Sequence, residues 1–170
     1  MLAAKPSIYL ATICYGGMAH AQYMASLLAF RPACASKGVT LHIDLAGGEA
    51  LIGRGRATLM AKFLATDATH LLFAESDRRF DQTEIFKLLD EDQHVSGNVE
   101  EGLLMIRRCA AQRMTDAYPE LLAKLGDMTG LAVTEATFVF DPMVEPASGR
   151  YLTDLHAFEA RWRGLSTRDR

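Results

Sequence analysis

The chain has 170 residues, 49% of them apolar and 23% charged, with a formal net charge of −3. That length carries one domain with a real core, and the mildly acidic balance argues against a polyanion-binding surface of the kind nucleic acid requires, while scattered basic residues such as Arg54, Arg56, Arg78 and Arg79 could still serve a small phosphate ligand. Three cysteines (Cys14, Cys34 and Cys109) without CxxC spacing argue against a disulfide framework or a zinc site, so a reducing cytoplasm is the expected compartment.

Residues 1–5 are too short and polar for a signal peptide, and no apolar run reaches the length of a membrane span. The first predicted element is a strand over Ser7–Cys14, apolar and partly β-branched, ending in Tyr15-Gly16-Gly17. Residues 18–35 carry Met24, Leu27 and Leu28 at helical spacing, and Lys37-Gly38 closes that helix as a C-cap. Residues 39–45 alternate as VTLHIDL, a second strand with His42 and Asp44 on one side. A helix over 50–65 follows, with Leu51, Leu59, Phe63 and Leu64 as candidate core. The third strand is 69–74.

Asp81 is a plausible N-cap for a short helix ending at Leu89. Strands are expected over 94–97 and 102–107, and a helix over 109–125 that Pro119 must break or restart. A short strand over 137–140 and a helix over 153–163, with Thr153 or Asp154 near its N-cap, complete the reading. Strands alternating with helices give an α/β fold with a mostly parallel sheet flanked by helices. One domain spans 1–165, and the polar tail 166–170 frays.

The sharpest local feature is His70-Leu71-Leu72-Phe73-Ala74-Glu75-Ser76-Asp77, an apolar run that stops at two carboxylates one residue apart. The C-terminal ends of strands in an open α/β sheet are where ligands bind. In an extended segment, positions i and i+2 share a side. Glu75 and Asp77 held that way would suit a hard divalent cation, Mg²⁺ or Mn²⁺. The bland alternative is a solvated loop or cap. Arg107-Arg108 reads more simply as a solvated face than as a binding patch.

Five stretches in order resemble GT-A fold glycosyltransferases, especially the family-2-like members of bacteria and phages. They are LATICYGG at Leu10–Gly17, IGRGRATL at Ile52–Leu59, the run from Thr69 to Phe80 with its acidic D-x-D-like tip, GLLMIRR at Gly102–Arg108, and FDP at Phe140–Pro142 leading to YLTDLHAF at Tyr151–Phe158. The resemblance implies a nucleotide-binding α/β domain, a nucleotide-sugar donor and a divalent metal, Mn²⁺ or Mg²⁺. It implies that Thr12 and Tyr15 lie near the nucleobase, that Arg56 approaches the donor, and that Glu75 and Asp77 meet the metal-bound diphosphate.

In the family a Glu-Asp pair supplies the acceptor-activating base from its Asp; the pair is Asp154-Leu155 here, so either Asp154 substitutes as the base or inverting catalysis is lost, and Asp154 also reads as a helix cap, with His156 two residues on. Three departures stand out: Glu75 for the first Asp, Ala57 where the family has Asn, and Leu155 where it has a second acid. The acceptor-side segment is also short, since Gly97-Asn98 runs almost into Gly102. The expected function is therefore a nucleotide-sugar-dependent glycosyltransferase. Two alternatives stay open: a catalytically impaired relative that binds nucleotide or sugar, and a partner-binding α/β domain whose uncovered apolar flank favours a homo-oligomer. The acceptor is not legible in the sequence.

Overall fold

A computed structural model of the chain describes residues 5–48, 52–98, 102–117, 122–125 and 128–131. The elements in chain order are β1 (Ser7–Cys14), α1 (Ala21–Ser36), β2 (Thr40–Gly47), α2 (Ile52–Leu64), β3 (His70–Ala74), α3 (Gln82–Glu91), β4 (Val95–Asn98), β5 (Leu103–Arg107), α4 (Arg108–Ala117), β6 (Leu122–Leu125) and β7 (Met128–Leu131). The strand expected at 137–140, the helix at 153–163 with Asp154, Leu155 and His156, and the tail from 166 lie outside the described residues.

Five strands form one sheet in the order β2-β1-β3-β5-β4. β1 pairs in parallel with β2 and with β3, and β5 runs antiparallel to both β3 and β4. Four of the five strands thus share a direction, as the βαβ alternation of the sequence requires.

Side-chain alternation splits the core into two layers. On one face Tyr9, Ala11, Leu71 and Phe73 meet Leu59, Met60 and Phe63 of α2 and Ala110, Ala111 and Met114 of α4. On the other, Ile8, Leu10, Leu72 and Ala74 meet Tyr23, Leu27 and Phe30 of α1 and Ile85, Phe86 and Leu88 of α3. Both sides of β1 and β3 are covered, which is why these two strands read as near-continuous apolar runs. Removing one large, fully buried side chain such as Phe63 would cost about 3–5 kcal/mol. Of the three apolar residues that mark α1 in the sequence, Leu27 is buried, Met24 is half-buried and Leu28 is 71% exposed.

The strand β6 corrects the expectation of a helix running to residue 125. The α4 helix ends at Ala117, before Pro119, and Leu122–Leu125 pairs antiparallel with Met128–Leu131. Leu-Ala-Lys-Leu has good helix propensity, but strand pairing overrides it.

The N-terminal end of β3 is closed by polar bonds. Ser7 and Thr69 clasp each other through three 2.9 Å bonds: Ser7 N–H donates to Thr69 Oγ1, Thr69 N–H donates to Ser7 Oγ, and Thr69 Oγ1 donates to the Ser7 carbonyl. Beside them Arg108 reaches under the C-terminus of α2. Its guanidinium donates to the carbonyls of Ala68 (2.7 Å), Phe63 (3.0 Å), Leu64 (3.3 Å) and Thr66, and lies 4.8 Å from the Phe63 ring centroid. The last carbonyls of a helix lack intrahelical partners, and a cation there also meets the negative end of the helix dipole. Arg108 is thus a structural cap for α2, not the solvated charge its Arg-Arg context implies.

Candidate functional site

The opposite end of the sheet is open. From β1 the chain travels through α1 to β2 on one side, and from β3 it leaves toward β4 on the other. Adjacent parallel strands that part in this way define a topological switch point, the usual ligand crevice of an open α/β sheet. A cavity of about 640 Å³ lies there, lined by Ala11, Ile13, Phe73 and Ala74 from the strands, Ile52 and Arg56 from α2, Tyr15, Met18 and His20 from the β1–α1 connection, and Glu75 through Arg78. Its size is within the range of small-molecule sites.

Three features of the chain make this opening. After β1, Tyr15–Gly17 forms a single 3₁₀ turn in which Gly16 and Gly17 both have positive φ (61° and 75°), a conformation glycine adopts without steric penalty. This throws Tyr15 and Met18 outward, 72% and 69% exposed, onto the rim. After β3, residues 75–78 form a turn, with Arg78 N–H donating to the Glu75 carbonyl at 3.4 Å. Main-chain bonds fix that turn on both flanks: His20 N–H donates to the Ser76 carbonyl (2.9 Å), and Glu75 N–H donates to the Gly102 carbonyl (3.2 Å).

Of the residues singled out in the sequence, Tyr15, Arg56, Glu75 and Asp77 are brought to this one cavity. Arg56 is 5% exposed, and its guanidinium sits 5.5 Å from the Phe73 ring centroid, a cation–π contact on the cavity wall. Thr12 does not line the cavity. It is fully buried on the α1 face, where its hydroxyl lies 2.7 Å from the Tyr23 hydroxyl, whose pKa burial pushes up to about 12. The period of two along β1 sends Ala11 and Ile13 to the cavity side and Thr12 away from it.

His42 and Asp44 also stay outside the lining. Asp44 accepts from the Tyr9 hydroxyl (2.6 Å) and from Lys62 (3.0 Å), tying β2 to β1 and α2. Burial, and next the Asp44 carboxylate, raise the Tyr9 pKa above its ordinary value. Asp154 lies outside the described residues.

The acidic pair differs from the expected geometry. Glu75 and Asp77 stand on a turn and not on an extended strand, so the same-side rule for i and i+2 does not apply to them. Glu75 Oε2 accepts from Arg78 Nε at 2.8 Å, an i,i+3 ion pair. The Glu75 side chain also runs against Gly102, where an added Cβ would fall 2.8 Å from Oε2. Gly102 has φ +66°, so both its backbone and the crowding favour glycine there. Among the described residues no group of three or more His, Cys, Asp or Glu side chains could hold a metal ion. Glu75 and Asp77 both line the cavity, and Glu75 also carries the ion pair with Arg78.

Of the scattered basic residues that could serve a small phosphate ligand, Arg56 and Arg78 line the cavity. Met18 and His20 are lining residues that the sequence reading missed, because their placement depends on how the glycine turn folds back. Among the described residues no helix is long and apolar enough to cross a membrane.

No family model and no curated protein matches the chain. Among solved structures, one from Desulfovibrio desulfuricans G20, provisionally named a nucleotide-diphospho-sugar transferase, is similar with 12% identity and a TM-score of 0.44, over 94% of this chain and 98% of that one. The likeness is loose, and the sheet order and cavity described above stand independently of it.

Proposed function

We propose that the cavity binds a nucleoside-diphosphate sugar and that the chain is a glycosyltransferase acting on that donor. The observation that carries the reading is the coincidence of the switch-point cavity with Tyr15, Arg56 and the 75–78 turn, all contributed by segments whose sequence resembles the GT-A glycosyltransferases. In this reading the exposed Tyr15 ring offers a stacking surface for the base. Arg56, buried and charged, faces the phosphates. Glycosyl transfer breaks an anomeric C–O bond and leaves negative charge on the departing diphosphate, so fixed positive charge beside it lowers the barrier. An inverting enzyme also needs a base for the acceptor hydroxyl, and Asp154 is the sequence candidate.

Leu155 favours a second reading, in which the site binds the nucleotide without transfer, because leucine cannot take a proton where the resemblance expects an acid. Titration calorimetry with UDP and GDP, using uridine and guanosine as controls, tests the binding that both readings share. The expected outcome is micromolar to millimolar binding of one diphosphate and at least tenfold weaker binding of its nucleoside. Failure of both diphosphates to bind removes both readings. Release of UDP or GDP from a nucleotide sugar, lost in Asp154→Asn, supports the transferase over the simple binder.

A further inference from the structure

We propose that two copies of the chain pair antiparallel along β2, joining their sheets into one, in a register centred on Ile43. The inference is independent of the nucleotide reading. It starts from the two edges of the sheet, β4 and β2, which differ. β4 has four residues, Val-Ser-Gly-Asn, short and largely polar as protected edges are. β2 has eight, Thr-Leu-His-Ile-Asp-Leu-Ala-Gly, without a proline, lysine or arginine, and Ile43 and Leu45 are each 42% exposed. Among the described residues no strand pairs with the outer side of β2. A long edge with exposed apolar side chains is a template for another strand.

The pattern along that edge is complementary to itself: Leu41-His42-Ile43-Asp44-Leu45 has apolar ends and opposite charge types on either side of Ile43. Thr40 N–H donates to the Pro6 carbonyl, inward toward β1. Backbone polar groups alternate along a strand, so those of 42, 44 and 46 also turn to β1, and those of Leu41, Ile43 and Leu45 turn outward. A two-fold antiparallel pairing centred on Ile43 therefore lets Ile43 exchange both bonds with the partner's Ile43, and Leu41 with the partner's Leu45. His42 then stands opposite the partner's Asp44 in a non-hydrogen-bonded pair, where cross-strand side chains come closest. Opposed side chains share a face, so the apolar residues of both copies meet on the α1 side, where Leu41 already packs. The imidazole–carboxylate pairs form on the α2 side, where Tyr9 and Lys62 hold Asp44 in place. Moving the centre by one residue would set Asp44 against its own copy, or His42 against its own, so charge selects the register.

Sedimentation velocity of the full chain over a range of concentrations tests this, and the expected species has twice the mass of the chain. Ile43→Lys sets two ammonium groups against each other across the axis and weakens association about tenfold or more. His42→Asp places a carboxylate opposite the partner's Asp44 and weakens it several-fold, whereas His42→Lys leaves it equal or tighter. Circular dichroism melts show that each variant is folded. The register is read by cysteine linkage in a chain whose exposed Cys109 is replaced by serine. With Ile43→Cys the two copies of residue 43 lie about 5.5 Å apart between Cα atoms, within disulfide reach, and diamide, which takes up the two thiol hydrogens, links them. With Thr40→Cys the two copies lie about 20 Å apart and stay unlinked. A chain that is monomeric at every concentration overturns the inference, the edge then being bare or covered by the chain itself. A dimer that both Ile43→Lys and His42→Asp leave intact overturns it by placing the interface elsewhere, and linkage at 40 without linkage at 43 overturns the register.

Discussion

The two ends of the central sheet use arginine in contrasting ways. At the start of β3, Arg108 is enclosed by four carbonyls and the Phe63 ring, and the neighbouring Ser7 and Thr69 bond to each other. Polar groups there are consumed by the fold. At the far end of β1 and β3, Arg56 and Arg78 line a cavity with exposed apolar side chains on its rim. The difference teaches that residue type alone does not tell an arginine that caps a helix from one that lines a cavity; the carbonyls left over at the end of α2 are what claim Arg108.

The comparison can be broken in four ways, taken from the largest expected effect. Arg108→Ala strips a charged donor from four carbonyls and is expected to destabilise the fold by about 2–4 kcal/mol in urea unfolding, with nucleotide affinity unchanged in the folded fraction. A loss of affinity without loss of stability would reverse the assignment of the two ends.

Next comes the buried Thr12–Tyr23 pair. Tyr23→Phe orphans the Thr12 hydroxyl and should cost about 1–2 kcal/mol, while adding Thr12→Val should cost less than the sum of the single changes. A double variant that folds well yet binds nucleotide poorly would return Thr12 to the site.

His70 gives the third, through pH. Burial lowers its pKa; the Asp92 carboxylate 3.6 Å away pushes the other way but is half exposed and beyond a good hydrogen bond, so burial prevails. The folded state therefore keeps His70 neutral after the unfolded chain takes up its proton. Stability is retained above the ordinary value of 6.5 and declines as pH falls below it. His70→Leu should flatten that decline between neutral and mildly acidic pH, measured by denaturant midpoints. An unchanged slope would place the acid sensitivity elsewhere. The smallest effect is on the stability of Arg78→Ala. Its ion pair with Glu75 is partly solvated, so the change should stay within about 0.5 kcal/mol. A loss comparable to that of Arg108→Ala would make the 75–78 turn a structural feature and not a binding one.

Much of the architecture was legible because chemistry and period agreed. β1 and β3 are apolar on both faces and end at glycine or charge; the N-cap at Asp81 was readable, and its side chain accepts from Thr83 N–H at 2.8 Å. The β6 strand was not, because helix propensity and strand pairing point in different directions over Leu122–Leu125. At the site, the cluster of Tyr15, Arg56, Glu75 and Asp77 was foreseeable from their positions after strands and on the following helix. The facing of Thr12 follows from strand alternation once Ile13 is known to line the cavity, but nothing in the local sequence says which face the cavity occupies. The Glu75–Arg78 pair escaped notice because an extended backbone was assumed through a segment that turns.

The bonds that hold residues 75–78 against β5 and the start of α1 come from main-chain atoms, His20 N–H to the Ser76 carbonyl and Glu75 N–H to the Gly102 carbonyl. Any side chain at 76 or 77 inherits the same placement, since the scaffold does not depend on what it carries. The turn is in effect an exchangeable tip on a fixed mount, on which charge and reach can be rewritten while the sheet beneath it stays as it is.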